Sequence, residues 1–111
     1  MKRKPRSAAE FRRIYGSKAR VVAIHALACH ACGMESAECV HLENGGMGRK
    51  AGWQTVVDLG HRCHMRLHSL GSVDLFDAEH GTDLRARAAF LAEFLSPDRL
   101  STPTSTSEVG Q

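Results

Sequence analysis

A chain of 111 residues with 42% hydrophobic but only 5% aromatic side chains holds one small domain, whose core needs help from a metal, disulfides or a partner. The formal charge of +3 is only mildly basic, which excludes a highly charged, unfolded polyelectrolyte. No apolar run is long enough to span a bilayer and no signal-type segment opens the chain, so a cytoplasmic compartment is expected. The four cysteines there read as metal ligands rather than a disulfide framework.

Residues 1–16 form a basic N-terminal arm with a short helix over Ala8–Tyr15, closed at Gly16. Lys2, Arg3, Lys4, Arg6, Arg12, Arg13, Lys18 and Arg20 face only Glu10 in this part of the chain. Such an arm attracts phosphate backbones through counterion release; equally, it is a solvated terminus. Ser17 caps a second helix in "SKARVVAIHAL", expected to bury Val21, Ile24 and Leu27. "CHACG" is a tight turn, and "AECVHL" alternates as a short strand. "ENGGMGRKAG" reads as a loop and "WQTVVDL" as a second strand. "GHRCHMRLHSLG" is a helix bounded by two glycines, and "SVDLFDAEH" is a further helix stopped at Gly81. Thr82 is the expected cap of the next, whose Leu84, Ala88, Leu91, Phe94 and Leu95 share one face. Pro97 ends it, and residues 96–111 read as a disordered polar tail. Helices flanking two short strands give an α+β class, with residues 17–95 as the folded unit.

The chemistry concentrates in two places. Cys29 and Cys32, followed by glycine, read as a knuckle that points two thiolates at one zinc ion. The pair taken alone also fits a redox dithiol, but that would open a helix after a strand, and this one follows a helix and precedes a loop. In the third helix His64 and His68 stand four residues apart and share a face with His61, the spacing of paired metal-binding histidines. Cys63 is rotated about 100° from His64 and addresses a different neighbour. One helix therefore serves two sites, a thiolate site closed by Cys63 and a histidine site with room for water or substrate. If strand and helix pack together, His41 faces the His64–His68 pair, where a neutral imidazole near a divalent ion can take a proton from water. No Ser-His-Asp grouping or Walker pattern is present.

The pieces "CHAC", "ECVHLENGGMGRKAGW", "TVVDL", "CHMRLH" and "LGSVDLFDAEHGTDL" together resemble an HNH endonuclease of the ββα-metal, treble-clef type, closest to small phage and prophage members. The resemblance spans roughly Tyr15 to Leu95 and implies hydrolysis of DNA phosphodiesters in a bacterial host cell. It implies His41 as general base, His64 and His68 as ligands of a catalytic divalent ion (Mg²⁺, Mn²⁺, Ni²⁺ or Zn²⁺), and Cys29, Cys32 and Cys63 as ligands of a structural zinc. His61 is a further candidate for the catalytic ion. Arg49, Lys50, Arg62 and Arg66 are candidates for phosphate contacts, for Arg62 and Arg66 no more so than a solvated helix face. The implied partner is DNA, with no membrane and a homodimer as one way to cut two strands. Thr55 falls near the asparagine that pins the family's loop. Two departures stand out. Gly60 occupies the place of a fourth zinc cysteine, leaving Cys39 first and His61 second as substitutes, although strand alternation puts Cys39 on the side of His41. Val40 occupies the place of a catalytic metal ligand.

Overall fold

The first two helices form where their caps dictate. Ser7 Oγ accepts the Glu10 N–H and opens α1 (Ala8–Tyr15), and Ser17 Oγ accepts the Arg20 N–H and opens α2 (Lys18–His25). Gly16 separates them at φ +86°, and a Cβ there would stand 2.8 Å from Pro97 Cγ and 3.3 Å from Trp53 Cγ. Only glycine meets both the left-handed backbone and the close approach. The computed structural model describes residues 5–46 and 49–101, with backbone alone at 44–46, 49–50 and 101. Lys2, Arg3 and Lys4 of the basic arm and residues 102–111 of the expected tail lie outside the described residues.

β1 (Glu38–His41) pairs antiparallel with β4 (Val56–Leu59), placing Glu38 opposite Leu59 and His41 opposite Val56. Between them the expected loop contains a small antiparallel ladder, β2 (Asn44–Gly46) with β3 (Arg49–Lys50). "WQT" is a 3₁₀ turn rather than strand, its turn closed by the Thr55 N–H and hydroxyl, both donating to the Gly52 carbonyl. α3 (His61–Leu70) follows β4 directly and ends at Gly71 in the left-handed region; α4 (Val73–His80) is capped by Ser72 and ends at Gly81. α5 (Leu84–Phe94) is capped by Asp83, whose carboxylate accepts the Ala86 N–H. Thr82, the expected cap, instead donates its hydroxyl to Asp77 Oδ1 at 2.7 Å. Leu84, Ala88 and Leu91 are buried as the stripe predicted, but Phe94 is exposed, its ring tilted against that of Phe90. The chain does not turn to tail at Pro97: α6 (Pro97–Ser101) is a short helix packed on α2.

The result is a mixed α+β fold with two apolar layers. Val40, Val57 and Leu59 pack with Cys63, Leu67, Phe76 and Leu84 from α3, α4 and α5. Ile24, Ala37 and Val56 form the smaller cluster, joined by Cys39 and Leu95. Phe76 is fully buried, and truncating such a phenyl to alanine costs about 3–5 kcal/mol. Two charges are buried as well. Asp58 receives both Nε and Nη2 of Arg87, at 2.9 and 2.7 Å. Arg20 is as fully buried on α2 as Ile24, while Val21, expected in the core, is only half-buried. Arg20 donates Nε to the Leu95 carbonyl at 2.7 Å and lies over the Trp53 ring. No helix among the described residues is long and apolar enough to cross a membrane.

Candidate metal centres on one helix

The periodicity of α3 separates two donor clusters. On one side the thiols of Cys29, Cys32 and Cys63 lie within 4.8 Å of one another. The knuckle that brings Cys29 and Cys32 together is closed by the Gly33 N–H donating to the Cys29 carbonyl at 2.8 Å, and Gly33 adopts φ +71°. The His30 N–H donates to the Asp58 carbonyl, tying the knuckle to β4 immediately before α3 begins. Burial pushes the Cys29 thiol up, but N–H groups of Gly60, Cys32 and Ala31 and the thiol of Cys63 outweigh it and bring it down to about 7. Burial and the neighbouring Cys29 and Cys32 push Cys63 up to about 12. Three thiols this close cannot all ionise without a cation among them. That donor set suits zinc, which takes thiolate sulfur together with imidazole nitrogen or carboxylate oxygen.

Neither expected fourth ligand joins them. Cys39 is on the other face of β1, packed with Ile24, Ala37 and Val56 and lining a cavity with Phe11, Tyr15 and His25. The reason is strand alternation: Val40 points to the α3 layer, so Cys39 cannot. His61 is largely exposed and directs Nδ1 at Glu38 Oε2, 3.3 Å away.

On the second side of α3, His64 Nδ1 is 2.9 Å from Glu38 Oε1. Burial pushes the Glu38 carboxyl up, but hydrogen bonds and charge from His64 and His61 together hold it below the usual carboxylate range. A carboxylate only accepts, so His64 carries its proton on Nδ1 and, when neutral, presents a bare Nε2. That nitrogen faces His68 Nε2 at 3.1 Å. Carboxylate behind, imidazole between and a lone pair in front is the arrangement that orients a metal-binding histidine.

His41 lies apart from this pair. Its Nε2 is 2.8 Å from the Ile14 carbonyl of α1, and its ring meets Tyr15 edge-on at 5.5 Å. The expected face-to-face placement on His64 and His68 is therefore corrected: Val40, not His41, packs toward α3. His41 and His68 nevertheless line one cleft of about 430 Å³, with Glu43, Ser72 and Arg85. The Ile14 carbonyl assigns the His41 proton to Nε2 and makes Nδ1 the basic nitrogen.

No protein-family model, characterised protein or solved structure matches this chain. The site therefore rests on its own geometry. Of the phosphate candidates, Arg66 is held bidentately by Glu79 at 2.8 and 2.6 Å, and Arg62 is exposed beside the thiols. The side chains of Arg49 and Lys50 lie outside the described residues. Sequence reasoning missed two residues here. Glu38 shares the strand face of Val40, so the alternation that excluded Cys39 carried the signal for it. Arg85 reaches the cleft while paired with Asp74 at 2.9 Å, and no local pattern marked it.

Proposed function

We propose that this protein is a metal-dependent endonuclease of the HNH, ββα-metal type on a treble-clef scaffold, hydrolysing DNA phosphodiester bonds in phage-related DNA processing. The observation that carries the reading is the Glu38–His64–His68 relay beside a cleft that His41 also lines. His64 and His68 would hold the divalent ion, with His61 second to them because its ring is turned to Glu38. When bound, that ion neutralises phosphate charge and lowers the pKa of water at the site. His41 takes a proton at Nδ1, and its Nε2–H, donated to the Ile14 carbonyl, keeps the ring in that tautomer and steadies the imidazolium that results. Arg85 sits where a phosphate oxygen entering the cleft would compete with Asp74 for it.

One feature favours a second reading, a DNA-binding module without cleavage. Val40 is buried in the core and supplies no donor where the resembled family has a metal ligand. The test is supercoiled plasmid incubated with Mg²⁺, Mn²⁺, Ni²⁺ or Zn²⁺ beside His41→Ala. Nicked or linear product above the variant supports the enzyme. DNA binding without product under any metal selects the binding module.

A further inference from the structure

We infer that Glu35 is the fourth ligand of the thiol cluster, standing in for the cysteine that Gly60 replaces. The inference rests on the cluster holding zinc and is independent of cleavage. A Cβ built on Gly60 would fall 2.8 Å from both Glu35 Cβ and Glu35 Oε1, and 3.3 Å from Cys29 Cβ. The space into which a residue-60 side chain would project toward Cys29 is thus filled by the Glu35 carboxylate. Its backbone is fixed there, because the Cys29 N–H donates to the Glu35 carbonyl at 2.8 Å.

The supporting shell is in place too. Glu35 Oε1 accepts the Arg62 N–H at 3.2 Å, which leaves Oε2 for a metal; ligating carboxylates are characteristically held this way by their other oxygen. Cys32, Cys63, Glu35 and Arg62 share the wall of one cavity of about 420 Å³. The carboxylate lies outside the 4.8 Å group of thiols, so ligation requires its terminal torsions to turn. Gly60, with no side chain, leaves that path open. Three thiolates and a carboxylate carry the same charge as four thiolates, and Arg62 offsets part of it. Cys39 and His61 are excluded by position. His80 shares the cavity wall, but its ring is stacked on Phe76 at 3.9 Å with Nδ1 on the Phe76 carbonyl.

The experiment uses the full chain, with zinc content by mass spectrometry, zinc affinity by competition with a chromophoric chelator, and Co²⁺ spectra. Glu35→Gln keeps an acceptor for the Arg62 N–H and removes the anionic ligand. It is expected to lose at least about tenfold in zinc affinity, while His80→Ala loses none. In the double variant Glu35→Gly with Gly60→Cys, in which the Cβ that would stand 2.8 Å from a residue-60 Cβ is gone, affinity recovers and the thiolate-to-cobalt charge-transfer band strengthens. Wild-type affinity in Glu35→Gln, or a loss in His80→Ala instead, overturns the assignment. A wild-type protein without stoichiometric zinc overturns it together with the three-thiol site, whether or not the chain cleaves DNA.

Discussion

Glu38→Gln isolates the charge that stands behind His64. Glutamine can present its amide oxygen to His64 Nδ1, so the ring keeps its tautomer and orientation, but the imidazole loses the anion 2.9 Å away that makes it a better donor. Replacing such an outer carboxylate weakens metal binding by about 10- to 100-fold, or roughly 1.4–2.7 kcal/mol. The Glu38 side chain is 34% exposed against 11% for His64, so solvent screens part of the interaction. We therefore expect about tenfold for Gln and about a hundredfold for Ala, which also frees the ring. Titration calorimetry with Mn²⁺ measures the affinity, and the metal dependence of plasmid nicking gives the functional reading. Activity of Glu38→Gln should return at saturating metal. Unchanged Mn²⁺ affinity in both variants, or activity lost at saturating metal with affinity intact, would refute the relay.

The same carboxyl sets an acid limit. Its folded pKa lies below the ordinary glutamate value, so the stability it contributes is full above that value and is lost as pH falls through the folded one. Denaturant midpoints between pH 6 and 3 should fall less steeply in Glu38→Gln than in wild type. At the thiol cluster, Cys63 remains protonated to about 12 without metal, so zinc must displace at least its proton near neutrality. Zinc affinity should rise about tenfold or more per pH unit just above pH 7, and about a hundredfold or more per unit well below pH 7, where Cys29 also protonates. Calorimetry in buffers of different ionisation enthalpy reads the proton count, and a pH-independent affinity would contradict it. Cys63→Ser should unfold the domain, whereas His68→Ala should leave it folded and inactive, as judged by circular dichroism for folding and plasmid nicking for activity. Arg87→Ala strands a fully buried Asp58 and should cost about 3–5 kcal/mol in urea unfolding. Adding Asp58→Asn should recover part of that loss, and additive losses would argue against the pair.

Much of the scaffold was legible because its signals are local. Ser17 announces a helix start, and Gly16, Gly71 and Gly81 announce ends, since each acts within one turn of itself; the caps at Ser7, Ser72 and Asp83 were set by the structure. The 3.6-residue period also placed Cys63 and His64 on different faces of α3, and the structure keeps their partners apart. What those faces meet was not local. Glu38 reaches His64 across 26 residues, and Ile14 holds His41 across 27; neither pairing leaves a mark in a window of residues. Arg20 shows the same limit. Hydropathy assigns an arginine to solvent, yet a carbonyl from Leu95 and the face of Trp53 make a buried place for it. The sequence by itself determined which donors this protein owns and which of them share a helix face. Packing alone decided which oxygen stands behind His64, which face of β1 Cys39 takes and what fills the space beside Gly60, because these depend on contacts made only once the elements are assembled.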